Sequence, residues 1–326
     1  MTRALILAAI VGLAGCGGPE DRSLRQELRR HSAESGLALI QVDGDRAAVI
    51  PFDSGDRYFD LNYRQPLTTV VGRDGRAVAW CGHPLLPSII DGKDDDPARL
   101  GRAILAGNLV VETIDGSPLA QDEIASDSEP IALNAQARLL AFAGNPAGSQ
   151  TQPGIYWRSF DFSAGGSVDE GGSIYVDWSP DGKALAYEKD NEIRVFSMAS
   201  HTSKAIAAGH FPSWSPDGAS IAFQAPDNHV SLVSPTGTPL HWPLEGLLTK
   251  GPVQWSPKGQ FVSLSAPSDT HFLIFGADAR LLVCRAVDGA CVSVRDLSGF
   301  KRPAWFGFYW IEHYREFCRT CRRGDP

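Results

Sequence analysis

The sequence predicts an all-β protein built from repeated four-stranded antiparallel sheets, and three observations support this. A tryptophan-centred segment recurs along the chain, a Ser-Pro-x-Gly turn follows the tryptophan in each clear copy, and turn-forming residues are abundant. The 326 residues include 33 Gly and 22 Pro. A chain so rich in these two residues turns often, which favours many short strands over long helices.

Three segments align without gaps and define the repeat. They are VDWSPDGKALAYEKDNEIRVFS from Val176, PSWSPDGASIAFQAPDNHVSLVS from Pro212 and VQWSPKGQFVSLSAPSDTHFLIF from Val253. Weaker copies are VVGRDGRAVAW from Val70 and IALNAQARLLAFAG from Ile131, and a doubtful sixth copy is Pro303-Ala304-Trp305. The equivalent anchor positions, spaced 36 to 62 residues apart, are Val71, Leu133, Trp178, Trp214, Trp255 and Trp305.

Each copy predicts a strand that ends at the anchor, a tight turn and further short strands. A Trp is large enough to fill the space between neighbouring sheets. Ser-Pro-Asp-Gly suits a type I turn, because Pro holds φ near about −65° at the second position and Gly suits the fourth. The residues given this structural role are Trp178, Asp181, Gly182, Trp214, Asp217, Gly218, Trp255 and Gly259. Four short strands per repeat are typical of a propeller blade, whereas an immunoglobulin-like sandwich gives no reason for one turn to recur. The sequence therefore predicts a β-propeller, with six four-stranded blades favoured over seven.

These WSPDG repeats resemble the WD40-like β-propeller repeat of the TolB family. The resemblance covers roughly residues 60–310 and implies about six blades and a protein-binding or scaffolding role in the cell envelope. A component of TolB type would associate with the peptidoglycan-associated lipoprotein. Related propellers occur in prolyl oligopeptidases and oligogalacturonate lyases. This chain departs from the family because only about 55 residues separate Cys16 from the first repeat, where TolB proteins carry a sizeable α/β domain.

Residues 1–15 are interpreted as a targeting segment. Arg3 precedes an apolar stretch from Ala4 to Leu13 that is shorter than the roughly 20 residues a membrane-spanning helix needs. The sequence Leu13-Ala14-Gly15-Cys16 resembles the bacterial lipobox, which implies cleavage before Cys16 and attachment of fatty acyl chains, such as palmitate, to that residue. An ordinary secretory signal is the alternative. Because Gly17 replaces the aspartate of an inner-membrane retention signal, the expected location is the outer membrane of a diderm bacterium, facing the periplasm.

After the anchor, residues 16–36 are expected to form a helical spacer or brace, and residues 37–326 the propeller. Leu24 and Leu28 give the helix a narrow apolar seam, for which binding to a partner helix is the alternative. An open ring would leave exposed strand edges, so residues 37–50 are expected to share a sheet with the aromatic stretch 305–310. The alternative for that stretch is an exposed partner site.

Five cysteines remain for an oxidising compartment if Cys16 is lipidated. Cys284 and Cys291 flank a short loop and are expected to face each other across a hairpin. Cys81 is predicted to bridge Cys318 or Cys321 and so to link the first and last blades. The single Cys318-x-x-Cys321 pair lacks the second pair of ligands typical of structural zinc and the βαβ context of a redox motif.

The chemistry-bearing motifs of common enzymes are absent from the sequence, including GxSxG, the P-loop and HExxH. A formal charge of −8 opposes binding to nucleic acid. We therefore predict a membrane-anchored module that binds an envelope protein or peptide, with no catalytic residues, metal or cofactor. The alternative is a carbohydrate-active lyase or hydrolase with a metal in the central channel, held by histidines such as His210, His241 and His271.

Overall fold

The computed structural model describes residues 19–43, 46–60, 68–72, 77–82, 106–113, 118–125, 129–144, 154–161, 163–171, 175–267, 279–296, 308–317 and 322–323. The predicted targeting segment and Cys16 lie outside these ranges. The described residues form an N-terminal helix, Pro19–Ser35, six antiparallel sheets and a one-turn helix, Tyr314–Phe317. Neither of these helices combines the length and apolar character that crossing a membrane requires.

Five of the described sheets are four-stranded blades made from consecutive strands. Blade 1 contains Thr68–Val71, Ala77–Gly82, Ala106–Thr113 and Pro118–Ala125. Blade 2 contains Glu129–Asn134, Leu139–Gly144, Gly154–Ser159 and Gly165–Glu170. Blade 3 contains Val176–Trp178, Ala184–Lys189, Glu192–Ser197 and Thr202–Ala208. Blade 4 contains His210–Trp214, Ile221–Gln224, Val230–Val233 and Pro239–Leu240. Blade 5 contains Gln254–Trp255, Phe261–Pro267, Ala279–Arg285 and Cys291–Asp296.

The remaining sheet, which we call the closing sheet, is made from both ends of the chain. Its strands, in spatial order, are Phe308–Ile311, Ala38–Asp43, Arg46–Pro51, Arg57–Asp60 and Arg322–Arg323. The strand Phe308–Ile311 pairs antiparallel with Ala38–Asp43, with Leu39 opposite Trp310. The N- and C-terminal parts of the chain are therefore hydrogen-bonded within one sheet.

The sheets are arranged radially around a centre. The first strand of each blade contacts the first strand of the next, from blade 1 to blade 5 and then to Phe308–Ile311. Tyr309 of the closing sheet packs against the cluster of blade 1 and blade 2 residues that includes Val70 and Leu133. This arrangement confirms an all-β propeller with four-stranded antiparallel blades. The expectation of six such blades is wrong, because the described residues form five, and the sheet between blade 5 and blade 1 has five strands drawn from both termini.

Tryptophan anchors fill the space between neighbouring sheets. Trp178 is buried in one cluster with residues of blade 2, and Trp214 in one cluster with residues of blade 3. The indole N–H of Trp255 donates to the carbonyl of Ser213 (3.3 Å), and that of Trp310 donates to the carbonyl of Gln254 (3.0 Å). The two acceptors, Ser213 and Gln254, come immediately before the anchors Trp214 and Trp255 in the sequence. Each of these indoles therefore bonds to the backbone beside the anchor of the neighbouring blade.

Trp310 therefore occupies the sixth anchor position, and the predicted anchor Trp305 lies outside the described residues. Phe308 and Trp310 are only 4% and 3% exposed, so this part of the aromatic stretch is a buried closing strand and not an exposed partner site.

The N-terminal helix is a brace on the propeller. Leu24 and Leu28 are buried in a cluster with Phe261 of blade 5 and Trp310 of the closing sheet. Gly36 ends the helix with a φ of 65°, and a Cβ atom added there would lie 2.9 Å from the Cα of His313. The glycine is therefore required by its left-handed backbone and by the close approach of the C-terminal segment.

A polar cluster joins this helix to both ends of the chain, and we call it the closure latch: Ser32, Asp53, Tyr314 and Arg315. The Asp53 carboxylate accepts hydrogen bonds from the Ser32 hydroxyl (3.0 Å) and the Tyr314 hydroxyl (3.1 Å), and it pairs with the Arg315 guanidinium. Arg315 also donates to the carbonyl of Ala33 (2.7 Å). One half-buried carboxylate thus connects the helix, the closing sheet and the C-terminal segment.

Two of the predicted cysteine positions form a covalent link. Cys284 and Cys291 face each other in adjacent strands of blade 5 and form a disulfide, with their Cα atoms 4.0 Å apart. The backbone of Cys81 lies in the second strand of blade 1. Cys318 and Cys321 lie outside the described residues, so a bridge from Cys81 to either of them stays a prediction.

The closure latch yields a prediction about stability. Asp53→Asn removes the charge that Arg315 pairs with and weakens the hydrogen bonds from Ser32 and Tyr314, so we expect the free energy of unfolding to fall by about 1–3 kcal/mol. Urea denaturation measures this change. Glu34→Gln, an exposed position on the same helix, is the control and should change the free energy by less than about 0.5 kcal/mol. Equal losses in the two variants would show that the latch does not stabilise the closure.

Candidate functional site

The Ser-Pro-x-Gly turns lie at one end of the first strands and therefore surround one mouth of the central channel. In each turn the glycine N–H donates to the serine carbonyl three residues earlier. The distances are 2.9 Å for Gly182 to Ser179, 2.9 Å for Gly218 to Ser215 and 2.8 Å for Gly259 to Ser256. Three blades thus place the same rigid turn at equivalent positions around the mouth.

A serine–aspartate pair stabilises two of these turns from within. The Ser215 hydroxyl donates to Asp217 (2.6 Å), and the N–H of Ala219 donates to the same carboxylate oxygen (3.0 Å). These two hydrogen bonds hold the pKa of the Asp217 carboxyl below its ordinary value. At Asp181 the N–H of Lys183 and then the Ser179 hydroxyl lower the carboxyl pKa in the same way.

Neighbouring turns contact one another. A Cβ atom on Gly218 would lie 3.6 Å from Pro180 of the preceding blade, and one on Gly259 would lie 3.5 Å from Pro216. A Cβ atom on Gly182 would lie only 2.6 Å from the Cβ of Ala137 in blade 2. Each turn therefore packs its glycine against the turn before it, and we call this series of turns the turn collar.

In blade 2 an asparagine replaces the serine of the repeat. The Asn134 amide donates to the carbonyls of Ser179 (3.0 Å) and Pro180 (3.2 Å), and its oxygen accepts the N–H of Ala137 (2.9 Å). Asn134 is buried. It thus connects the blade 2 turn to the blade 3 turn, so the turn collar extends over four blades.

The turn collar lines a cavity of about 260 Å³ at the channel mouth. Its lining residues come from blades 2, 3, 4 and 5 and from the closing sheet: Leu133, Asn134, Ala135, Gln136, Asp177, Trp178, Pro180, Pro216, Pro257 and Glu312. Three of these are the prolines of the repeated turns. We take this cavity as the candidate functional site.

Two carboxylates, Asp177 and Glu312, line the cavity. Asp177 accepts the backbone N–H of Trp214 (2.7 Å), which holds blade 3 against blade 4. Glu312 pairs with Lys258 (2.9 Å), and the Glu312 side chain is 17% exposed while that of Lys258 is 61% exposed. The site is suited to recognition through apolar contact and charge.

Sequence reasoning missed Glu312. It lies two residues after Trp310, as Pro180 lies two residues after Trp178, so aligning the repeat on Trp310 places Glu312 at the proline position. Aligning the repeat on Trp305 places Gly307 at the proline position, so the sequence did not single out Glu312.

The structure gives His210 and His241 separate carboxylate partners. The Nδ1 atom of His210 lies 2.9 Å from Glu188, at the end of the first blade 4 strand that is opposite the turn collar. His241 pairs with Glu245 (3.0 Å), and its side chain is 90% exposed. His271 lies outside the described residues. Within the described ranges, no three His, Cys, Asp or Glu side chains form a group that could hold a metal ion.

No family model matches the chain, and no curated protein matches its sequence significantly. Several solved structures resemble it in fold. A protein from Agrobacterium tumefaciens assigned as a TolB is 14% identical, with 84% of this chain and 90% of that chain covered and a TM-score of 0.48. TolB from Acinetobacter baumannii is 12% identical, with 78% and 62% covered and a TM-score of 0.46. An oligogalacturonate lyase in complex with manganese is 13% identical, with 74% of each chain covered and a TM-score of 0.43. The sheet order of the chain itself, rather than these similarities, establishes the propeller fold.

The turn aspartates predict a pH dependence of stability. Because their folded-state pKa values lie below the unfolded value of about 3.9, the stability they contribute is present above about pH 4 and is lost as the pH falls through the folded values. We expect Asp217→Asn to be less stable than the wild type by about 0.5–1 kcal/mol near neutral pH, with this difference shrinking below about pH 4. Urea denaturation at several pH values measures it. Asp190→Asn, at an exposed turn, is the control, and a pH-independent difference for Asp217→Asn would contradict the assignment.

Proposed function

We propose that this protein is a lipid-anchored β-propeller of the cell envelope that binds a segment of another envelope protein at its channel mouth. The observation that carries the proposal is the cavity of about 260 Å³, lined by equivalent turn positions of successive blades and by Glu312. Repeated positions that converge on one cavity present a concave and largely preformed surface, which is the usual form of a binding site.

The size of the cavity favours side chains of a protein segment over a whole small molecule. Sites for drug-sized ligands usually measure about 300–1,000 Å³, and this cavity is smaller. One or two side chains of a partner would fill it, while the rest of the partner segment would lie across the turn collar. We therefore favour a protein or peptide ligand.

The lining indicates which side chains would fit. Pro180, Pro216 and Pro257 offer apolar surface, and the Glu312 carboxylate offers a charge whose present partner, Lys258, is largely exposed. A basic side chain entering the cavity would exchange with Lys258 at Glu312, and charge-assisted bonds of this kind are stronger than neutral ones. We propose a segment that carries an apolar residue next to a lysine or arginine.

The rigidity of the turn collar supports the same function. The turns are held by the serine–aspartate hydrogen bonds, by the Asn134 bonds and by contacts between neighbouring turns. Binding to a site that is already ordered loses little conformational entropy, so more of the contact energy appears as affinity. The propeller would thus act by presenting fixed groups to its partner.

The envelope location rests on the lipobox-like sequence that ends at Cys16. Stable attachment to a membrane takes two acyl chains or a chain and a second signal, and a lipidated N-terminal cysteine would carry more than one chain. We propose that Cys16 anchors the propeller to the outer membrane, with the channel mouth available to periplasmic proteins.

Site-specific photocrosslinking in cells tests the binding function. A photoreactive residue at Gln136, which lines the cavity, should capture a defined protein several-fold more than one at Thr202 on the outer strand of blade 3. Glu312→Gln should reduce that capture by about tenfold, because the charge-assisted contact is lost. Mass spectrometry identifies the product. Equal capture from both positions, or capture that Glu312→Gln does not change, would contradict the proposed site.

Fractionation of cells tests the anchor. Cys16→Ser should abolish incorporation of labelled palmitate and move the protein from the membrane fraction to the soluble fraction. Gly17→Asp should keep the label and shift the protein to the inner membrane, which makes it a matched control. Retention of Cys16→Ser in the outer membrane would exclude the lipid anchor.

A further inference from the structure

A second concave surface lies outside the channel, between the N-terminal helix and blade 5. We call it the helix groove, and it measures about 440 Å³. Its lining residues are Glu27, Trp242, Trp255, Gly259, Gln260, Arg285, Ala286 and Val287. The function proposed above does not use this surface.

Two stacked indoles contribute to the lining of the helix groove. The rings of Trp242 and Trp255 lie 5.0 Å apart at an interplanar angle of 17°. The N–H of Trp242 donates to the carbonyl of Ala286 (2.9 Å), and that of Trp255 donates to the carbonyl of Ser213 (3.3 Å). Trp242 is only 5% exposed and supports Trp255, whose partly exposed ring supplies the accessible indole surface. Both rings are fixed in place before any ligand arrives, which lowers the entropic cost of binding.

The polar lining is also held in a fixed arrangement. Arg285 donates to the Glu27 carboxylate from Nε (2.8 Å) and Nη2 (2.6 Å), and to Asp288 from Nη1 (2.5 Å). Arg285, Ala286 and Val287 belong to the hairpin formed by the last two strands of blade 5, and the disulfide between Cys284 and Cys291 links those two strands. Planar polar groups thus stand beside the indoles.

Val287 lies at the rim and is 78% exposed. Among the residues whose side chains the structure describes, Val287 is the one large hydrophobic residue that is mostly exposed. A single exposed apolar side chain is ordinary by itself. Here Val287 extends the apolar surface of Trp255 toward solvent. The helix groove thus combines an apolar surface, formed by Trp255 and Val287, with the polar groups of Glu27 and Arg285.

We propose that the helix groove binds a ring of an uncharged saccharide. A sugar ring has an apolar face of C–H groups, which would pack on Trp255 and Val287, and an edge of hydroxyls, which would hydrogen-bond to planar side chains such as Arg285, Glu27 and Gln260. The volume lies within the usual range for small-molecule sites of about 300–1,000 Å³. Two carboxylates around one guanidinium leave a net negative charge, which disfavours an anionic saccharide.

Isothermal titration calorimetry with defined oligosaccharides tests this site. The probes are the tetramer of N-acetylglucosamine, maltotetraose and, as the anionic counterpart, tetragalacturonate. We expect at least one uncharged tetramer to bind one to one with a Kd of about 1 mM or tighter, and tetragalacturonate to bind more weakly. A proline-rich peptide is the fourth probe, because it would also pack on indoles.

Variants at exposed positions make the test specific to the helix groove. Val287→Asp should weaken saccharide binding about tenfold, and Gln260→Ala several-fold. Ala199→Asp, in the corresponding hairpin of blade 3, is the matched control and should bind as the wild type does. The proposal is overturned if neither uncharged tetramer binds, if tetragalacturonate or the peptide binds more tightly, or if Val287→Asp has no greater effect than Ala199→Asp.

Discussion

The pairing of Phe308–Ile311 with Ala38–Asp43 holds the propeller closed, and the other features depend on it. These strands come from opposite ends of the chain, so their ladder converts a row of sheets into a ring and covers edges that would otherwise be exposed. The N-terminal helix packs across this junction through Leu24 and Leu28. The closure latch adds a carboxylate that contacts both ends, so polar and apolar contacts stabilise the same joint.

The candidate site exists only in the closed ring. Trp310 lies in the closing strand and fills the sixth anchor position, where its N–H bonds to the carbonyl of Gln254. Glu312 follows directly after that strand and supplies the carboxylate of the channel mouth. The turn collar brings the prolines of three blades to the same cavity. The closing strand therefore completes the lining of the site, which explains why a cavity made of repeats contains a residue from the C-terminal segment.

The two concave surfaces differ in origin. The channel mouth is made from equivalent positions of the repeat, and its shape follows from the blades. The helix groove combines two repeat positions, Trp255 and Gly259, with parts that do not repeat, which include Glu27 of the helix and Trp242 between blades 4 and 5.

The sequence by itself determined the features that depend on neighbouring residues. The Trp anchors, the Ser-Pro-x-Gly turns, the helix end at Gly36 and the hairpin of Cys284 and Cys291 all follow from local backbone preferences and short spacings. Only the tertiary structure decided that five blades have four strands while the closing sheet has five, that Trp310 and not Trp305 is placed as the sixth anchor, and that Glu312 lines the mouth. It also showed that Gly218 and Gly259 pack against prolines of the preceding blade. These features depend on contacts between distant parts of the chain, and the path of the chain around the ring, which no short segment encodes, brings those parts together.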